Sequence, residues 1–323
     1  MPIMSHPGRI FVTGGAGFIG SHLVDRLCEN NEVVVFDNLS SGKLENLKQW
    51  LKASSFNFVR GDLLTLGKIQ DSLSECETIF HLAANPEVRV GSTAPKVHYE
   101  QNITATFNLL EAIRQVDDVK TLVFTSSSTV YGDAEEIPTS EDYAPLKPIS
   151  IYGASKLASE ALITCYANTY GFNAIIFRLA NIIGPRTQHG VIYDFINKLK
   201  KNPKKLEILG DGTQTKSYLY IEDCINVIFA SLVHSGGRVE IYNVGSEDQI
   251  NVKEIADIVC EEMGLKGVDY VYSGGVDGGR GWKGDVKVML LSIERIKSFG
   301  WKPALNSAQA VRKTAKALLH DKK

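Results

Sequence analysis

The sequence has little cysteine, no long hydrophobic run and almost no net charge. Its five cysteines are scattered without a CxxC pair, which excludes a zinc ribbon or a disulfide framework and indicates buried thiols in a reducing compartment. No apolar run reaches the ~18 residues of a membrane-spanning helix, and residues 1–7 lack the basic-then-apolar pattern of a signal peptide. A net charge of −2 provides no electrostatic footprint for nucleic acid. We therefore expect a cytoplasmic protein that binds no metal, membrane or nucleic acid.

Short apolar runs alternate with helical patterns through the first half of the chain. Strands are predicted at 9–13, 32–36, 56–59, 78–82, 121–125 and 174–179, and helices at 18–29, 95–114 and 149–170. This alternation indicates right-handed crossovers and an α/β fold with a doubly wound parallel sheet, of the Rossmann type.

The pattern becomes less regular beyond residue 180. Helices are predicted at 191–201, 221–234, 252–263 and 307–319, and strands near 206–209, 240–244 and 269–272. We divide the chain into a first domain, 1–180, to which segments from roughly 219–245 return, and a mainly substrate-binding domain, 181–323. The second is expected to be a smaller carboxyl-terminal α/β lobe, with a cleft for the substrate between the two.

Three glycines follow the first predicted strand and open the first predicted helix. Gly14, Gly17 and Gly20 would let backbone N–H groups approach a pyrophosphate at the positive end of that helix. Asp37 ends the next strand, near the ~20 positions expected for a carboxylate that binds the adenosine ribose and repels the 2′-phosphate of NADP. A tight turn and a strand-end turn aspartate are the structural alternatives. Together these residues favour NAD as the ligand of the first domain.

Tyr152 and Lys156 lie four residues apart on a predicted helix, so they share one face of it. A nearby positive charge lowers the pKa of a phenol, ordinarily about 10, and such a pair can move protons on and off a hydroxyl. A solvated face with one packed ring is the alternative. The hydroxyls of Ser126–Thr129 follow a predicted strand, where ligands bind in doubly wound sheets, although a polar loop shows the same pattern.

Four motifs occur in order: TGGAGFIG at Thr13–Gly20, Asp62 after the third strand, SSSTVYG at Ser126–Gly132 and YGASK at Tyr152–Lys156. With them the whole chain resembles the extended short-chain dehydrogenase/reductases, and within these the NAD-dependent UDP-glucose (UDP-galactose) 4-epimerases. The narrower resemblance is carried by DNLSSG at Asp37–Gly42, RLAN at Arg178–Asn181, DGTQTKSY at Asp211–Tyr218 and GDV at Gly284–Val286.

The resemblance implies a catalytic set and two binding sets. Tyr152 would be the acid/base, Lys156 would hold the nicotinamide ribose and acidify the phenol, and Ser127 would hydrogen-bond the sugar hydroxyl. Besides Tyr152 and Lys156, the implied NAD-binding residues are Gly14, Gly17, Phe18, Ile19, Gly20, Asp37, Asn38, Ser40, Ser41, Gly42, Asp62, Leu63, Leu82, Ala83, Ala84, Asn102 and Thr125. Besides Ser127, the implied substrate-binding residues are Ser128, Thr129, Asn181, Val191, Lys216, Tyr218, Arg280, Asp285 and Met289.

The chain departs from its relatives at several of these positions. Lys216 stands where these epimerases usually have arginine, and Trp282 replaces a second arginine, with Arg280 two places earlier. Whether Lys216 and Arg280 contact the diphosphate stays open. Ser128 and Thr129 replace the Asp and Glu of related dehydratases, and a hydroxyl cannot remove a carbon-bound proton as a carboxylate can. The departure favours epimerisation over elimination.

The resemblance thus implies reversible oxidation of a UDP-hexose at carbon 4 through a transient 4-keto sugar. Met289 stands at the position of a substrate-size gate, where tyrosine accompanies plain hexoses and smaller residues accompany N-acetyl sugars. UDP-glucose/UDP-galactose is the first expectation, and UDP-N-acetylhexosamine and UDP-uronate are alternatives. An NAD(P)H-dependent nucleotide-sugar reductase and a non-catalytic nucleotide-binding protein are further alternatives. A homodimer through helices 95–114 and 150–171 is also implied.

Overall fold

The structure is a computed structural model that describes residues 8–234 and 236–320. Residues 1–7, which the sequence predicts to carry no signal peptide, lie outside these ranges. The described residues form two units: those within Met1–Val130, Ile151–Arg178 and Ile228–Tyr242 make the first, and those within Tyr131–Ser150, Leu179–Val227 and Asn243–Lys323 make the second. The assignment of NAD to one domain and of substrate to the other stays a prediction.

The described residues contain strands and helices in regular alternation at first and in shorter pieces later. The strands are β1 (Arg9–Thr13), β2 (Glu32–Asp37), β3 (Phe56–Arg60), β4 (Cys76–His81), β5 (Thr121–Ser127), β6 (Asn173–Leu179), β7 (Asn181–Ile183), β8 (Lys205–Ile208), β9 (Thr215–Lys216), β10 (Tyr218–Tyr220), β11 (Val239–Val244), β12 (Ile250–Asn251), β13 (Asp269–Tyr272) and β14 (Val288–Met289). The helices are α1 (Phe18–Leu27), α2 (Leu66–Leu73), α3 (Pro95–His98), α4 (Ala105–Ile113), α5 (Ile151–Tyr170), α6 (Val191–Lys201), α7 (Ile221–His234), α8 (Val252–Glu262), α9 (Glu294–Lys297) and α10 (Ser307–His320).

Seven strands form one sheet in the order β11-β6-β5-β4-β1-β2-β3. The ladders from β3 across to β5 are parallel, which confirms the predicted doubly wound α/β class. Chain order reverses between β1 and β4, and ligands in open parallel sheets bind outside the carboxyl ends of the strands at such a reversal. Thr13, His81 and Ser127 end β1, β4 and β5 at this edge.

A buried apolar cluster fixes α4 and α5 on the sheet. Phe11, Phe36 and Phe124 from the strands pack in one cluster with Leu109 of α4 and Ile163 of α5. Their strands carry near-continuous apolar runs, as is typical of a parallel sheet covered on both faces. Burial of each such large side chain contributes roughly 1.5–3 kcal/mol to the stability of the fold. The cluster therefore fixes the position of α5 beside β5.

The predicted single helix 95–114 is interrupted. α3 passes into a π-helical turn at Tyr99–Thr104 before α4 begins. Asn102 lies in this wider turn, where the Thr106 hydroxyl donates to its backbone carbonyl at 2.6 Å. β5 in turn runs two residues further than predicted, so Ser126 and Ser127 are strand residues.

The second unit contains small sheets rather than one large one. β7 pairs with β10 and β8 with β13, both in parallel, while β9 lies between β12 and β14. α10 packs on α8, α6 and β10. Across residues 8–234 and 236–320, no helix is both long enough and apolar enough to cross a membrane.

Candidate active site

Ser127 and Tyr152 are brought together at the carboxyl end of β5. The Ser127 hydroxyl is hydrogen-bonded with the half-buried Tyr152 side chain. It also accepts from the backbone N–H of Thr129 at 3.2 Å and from the Thr129 hydroxyl at 3.0 Å. Because three donors and acceptors converge on one oxygen, the rotamer of Ser127 is fixed beside the phenol. Ser128 is buried next to them.

Lys156 lies one helical turn beyond Tyr152 on α5. Its Nζ donates to the carbonyl oxygen of Thr125 at 2.9 Å and lies 4.7 Å from the centroid of the Phe124 ring. The same nitrogen is 5.9 Å from the centroid of the Tyr152 ring. Only 3% of Lys156 is exposed, so a flexible side chain is held in one position.

Burial dominates the protonation of this pair. It raises the pKa of Tyr152 to about 12, against the opposing hydrogen bond with Ser127. It lowers the pKa of Lys156 to about 7, against the opposing charge of Glu160. Among the chain's own groups, the phenol pKa therefore shifts opposite to the expected lowering, because lost hydration of the phenolate outweighs the hydrogen bond with Ser127.

His81, which was not predicted from the sequence, lies at the end of β4 and is 1% exposed. Its Nδ1 is 2.8 Å from the Thr13 hydroxyl and its Nε2 is 2.9 Å from the Thr106 hydroxyl. Burial, followed by the charge of Lys156, lowers the pKa of His81 to about 3. A neutral imidazole thus joins the ends of β1 and β4 to α4. Its place at the end of a predicted strand was the available signal.

Asn102 connects the π-helical turn to α5, the helix that carries Tyr152 and Lys156. Its side-chain oxygen accepts from the Asn85 N–H at 2.8 Å, and its amide donates to the Ser155 hydroxyl at 2.8 Å. The same amide is 3.3 Å from Nδ1 of His98, whose buried ring meets Tyr152 edge-on at 5.5 Å. Direct contact of Asn102 with NAD stays a prediction, since its side chain is 2% exposed and engaged within the protein.

The glycine loop after β1 fits a dinucleotide pyrophosphate. Gly14 has φ +70°, and a Cβ there would stand 2.7 Å from the backbone nitrogen of Ala83. A Cβ on Gly20 would overlap the carbonyl oxygen of Gly14. α1 begins after Gly17 with no side-chain cap and no acidic residue in its first turn, so its N–H groups suit an anion. Phe18 and Ile19 lie in that turn.

Asp37, at the end of β2, is tied to the same loop. One carboxylate oxygen accepts from the Ala16 N–H at 3.0 Å and the other from the Leu39 N–H at 2.8 Å. Burial raises the pKa of Asp37, opposed by these two backbone bonds. The neighbouring Asn38 amide donates to Asp62 at 3.0 Å. Two acidic side chains therefore flank the carboxyl ends of β2 and β3, where a ribose would be recognised through its hydroxyls.

The remaining predicted NAD residues surround this edge of the sheet. Ser40 and Ser41 are exposed, and a Cβ on Gly42 would meet the backbone of Ala16 at 2.8 Å. Leu63 is buried, and Leu82–Ala84 are partly buried directly after β4. Two small residues, Ala83 and Ala84, thus follow β4, and Ala83 lies beside Gly14 of the glycine loop.

In the second unit, one ion pair and one hydrogen bond link the predicted phosphate-binding residues, and a second ion pair joins Arg280 to Asp133. Lys216 Nζ is 2.5 Å from a carboxylate oxygen of Asp285 and 5.5 Å from the Trp282 ring centroid. Arg280 donates twice to the carboxylate of Asp133, at 3.0 and 2.9 Å, and once to the Asp285 carbonyl at 2.6 Å. The unit thus brings Lys216, Arg280 and Asp285 together.

The other predicted substrate residues of this unit lie on its short strands and on α6. Asn181 donates from its amide to the Ser217 carbonyl at 3.1 Å. Tyr218 is buried, which raises the pKa of its phenol. Met289 is buried on β14, and Val191 begins α6.

The chain is similar to known proteins over most of its length. Residues 10–245 match the sequence model of the NAD dependent epimerase/dehydratase family. A putative UDP-glucose 4-epimerase of Methanocaldococcus jannaschii is 35% identical over 94% of this chain and 96% of its own length. The crystal structure of a UDP-galactose 4-epimerase, 44% identical, superposes with a TM-score of 0.84 over 98% of this chain and 100% of that one.

A third match concerns a different sugar. A UDP-glucuronic acid 4-epimerase from Bacillus cereus, solved with UDP-glucuronic acid and NAD, is 28% identical with a TM-score of 0.86. The match covers 96% of this chain and 99% of that one. The fold is therefore shared among 4-epimerases that take different UDP-sugars, so that fold alone does not select a substrate.

Proposed function

The chain belongs to the NAD-dependent epimerase/dehydratase family, and we propose that it interconverts UDP-glucose and UDP-galactose by epimerisation at carbon 4. The observation that carries the proposal is the Ser127–Tyr152–Lys156 constellation at the carboxyl end of β5. It places one acid/base, one hydroxyl and one buried ammonium together at the edge where ligands bind in such sheets.

The protein's part in the reaction is proton transfer and orientation. Ser127 holds the 4′-hydroxyl of the hexose next to the phenol, and Tyr152 takes the proton from that hydroxyl and later returns it. Lys156 supplies positive charge that favours the phenolate against the effect of burial. NAD, when bound, supplies a reversible acceptor for the hydride of carbon 4 and a further positive charge.

The 4-keto sugar then has to present its other face before it is reduced. Anchoring of the UDP moiety permits this rotation, and we assign that anchoring to the second unit through Asn181, Lys216 and Tyr218. Lys216 offers one ammonium, whereas arginine would offer a planar fork. Its pairing with Asp285 keeps the ammonium in a defined position.

Epimerisation is favoured over elimination by what stands beside Ser127. Ser128 and Thr129 carry hydroxyls, and the Thr129 hydroxyl donates to Ser127. Neither side chain can act as the carboxylate base that removal of a carbon-bound proton needs. A single acid/base with a reversible oxidant suffices for inversion at one carbon.

UDP-glucose and UDP-galactose are the first choice of substrates on the strength of the relatives, and Met289 selects neither plain hexoses nor N-acetyl sugars. A methionine at the predicted size gate is flexible and intermediate in volume, and it is buried on β14. UDP-N-acetylhexosamine and UDP-uronate are the competing substrates, and they are distinguished by assay.

The test is conversion of a panel of UDP-sugars, with the epimers resolved by chromatography. We expect interconversion of UDP-glucose and UDP-galactose without net consumption of a reduced cofactor, and a fall in kcat of at least ~100-fold in Tyr152→Phe, because the acid/base is lost. Tyr170→Phe, on the same helix and half exposed, is the matched control and should keep wild-type kcat. Near wild-type conversion by Tyr152→Phe would refute the mechanism, and stoichiometric use of NADH would identify a reductase instead.

A further inference from the structure

Three consecutive residues of β5 each hold one side chain of α5. The Thr125 carbonyl accepts a hydrogen bond from Lys156, and the Ser126 hydroxyl donates one to Glu160. The Ser127 hydroxyl is hydrogen-bonded with Tyr152. The three helical side chains are spaced four residues apart, so they form one row along the face of α5. Glu160 is the member of this row that the proposed mechanism does not use.

Glu160 is itself held from β6. Arg178 donates from Nη2 to one carboxylate oxygen at 2.8 Å and from Nε to both oxygens at 3.2 Å. Both side chains are only 4% exposed. A buried carboxylate with a forked guanidinium and a hydroxyl on it has its hydrogen-bonding capacity largely filled and little freedom to move. A pair of this kind is expensive to desolvate and is weak evidence for stability alone.

We propose that Glu160 is a positioning residue for the epimerisation. Its hydrogen bonds with Ser126 and Arg178 fix the position of α5 on β5. Its negative charge keeps the Lys156 ammonium in place. The inference rests on the proposed function, because it concerns the same Tyr152–Lys156 pair.

The charge of Glu160 has a direct electrostatic consequence. It is the group that opposes the lowering of the Lys156 pKa by burial. Burial shifts the other ionisable groups that interact with Lys156 toward their neutral forms. It raises the pKa of Tyr152 and lowers the pKa values of His81 and His98. Without the carboxylate the ammonium would lose its proton at a lower pH. The ionisable groups around Lys156 are Tyr152 and Glu160 on α5, His81 on β4 and His98 on α3, with Arg178 on β6 paired to Glu160.

The test is the double variant Glu160→Gln/Arg178→Gln. It removes both charges together, so that neither is left buried and unpaired, as it would be in Glu160→Gln alone. Glu262→Gln/Arg312→Gln removes a partly buried pair between α8 and α10 and is the matched control. Thermal unfolding shows whether each protein is folded, and NMR of ¹³C-labelled lysine, with Lys156 assigned by its loss in Lys156→Met, measures the Lys156 pKa directly.

We expect the double variant to lower the Lys156 pKa by about one pH unit, to shift the alkaline limb of the kcat profile by the same amount, and to leave KM for the UDP-sugar within about twofold. The control should change neither the pKa nor kcat. A folded double variant with wild-type Lys156 pKa and wild-type kcat would overturn the inference, and so would a change in melting temperature alone. If the wild type converts no UDP-sugar, the proposed function fails, while the NMR titration still decides the effect of Glu160 on Lys156.

Discussion

Burial is the largest influence on the charge of three ionisable side chains at the site. The phenol, the Lys156 ammonium and the His81 imidazole all shift toward their neutral forms, because the strand ends and α5 exclude water from them. Charges placed close by then act in a medium that screens them little. The protonation state of Tyr152 and Lys156 thus depends on a few fixed neighbours, and Glu160 is one of them.

His81 makes the stability of the protein depend on pH. Its folded pKa of about 3 lies below the ordinary value near 6.5, so between these values the unfolded chain binds a proton that the folded chain does not. The free energy of unfolding therefore falls as the pH drops through this window and is level above it. Between pH 7 and pH 5 the His81 contribution is about 2 kcal/mol.

Urea unfolding at the two pH values, in wild type and His81→Gln, measures this contribution. The variant should be less stable at pH 7, because it loses the stacking of the ring on Phe124, but its loss of stability on acidification should be smaller by about 2 kcal/mol. His234→Gln, at an exposed position, is the control, and it should lose as much stability on acidification as the wild type. If wild type and His81→Gln lose equal stability on acidification, then His81 in the folded protein is either protonated at pH 7 or exposed to solvent.

Some site residues are predictable from local spacing and others are not. Tyr152 and Lys156 share a helical face because of their separation, and the same spacing extended by one turn points to Glu160. The links of His81 to Thr13 and Thr106 carry no such signal, since they join side chains 68 and 25 residues away. Long-range partners of this kind follow from the sheet order and only the folded chain displays them.

Secondary structure follows the sequence wherever a pattern is long enough. α6, α7 and β13 have the predicted bounds. β9, β12 and β14 have two residues each, which is too short for an alternating pattern to appear. The π-helical turn at Tyr99–Thr104 has no glycine or proline to announce it. It arises where Asn102 is drawn inward by its buried partners, and π turns often occur at functional sites.

Helices α4 and α5 present aromatic side chains for the predicted homodimer. Phe107 is 42% exposed and meets Tyr166 edge-on at 6.4 Å, and Tyr166 lies 5.1 Å from the half-exposed Tyr170. Aspartate at position 107 would place a charge within this aromatic surface and disfavour its burial against a second copy. We expect light scattering after gel filtration to show a dimer for wild type and a monomer for Phe107→Asp.

Val233→Asp is the matched control for this change. Val233 is 67% exposed on α7, so the same charge is added to another helix, and the dimer should persist. A wild type that elutes as a monomer, or a Phe107→Asp variant that stays dimeric, would remove these aromatic residues from the interface.

The whole protein is made of two units that carry different recognition chemistry. The first holds the glycine loop and the acidic side chains at the ends of β2 and β3, which suit a dinucleotide. The second holds Lys216 and Arg280, and each of these cations is paired with a carboxylate. A diphosphate can bind them only when it competes with these ion pairs. The sequence predicts that the first unit binds NAD and the second binds UDP. This prediction can be tested by binding alone, without an assay of catalysis.

Thermal unfolding of nucleotide-free protein tests that claim. A ligand at 100 times its Kd stabilises the folded state by about 2.7 kcal/mol, or roughly 4 °C in a protein of this size. Gly20→Ala should abolish the shift given by NAD and keep the shift given by UDP, because a Cβ there overlaps Gly14. Lys216→Met should weaken the response to UDP and keep the response to NAD. If either variant removes both shifts, or if Lys216→Met keeps the full response to UDP, then the two ligands are not recognised by separate sets of residues.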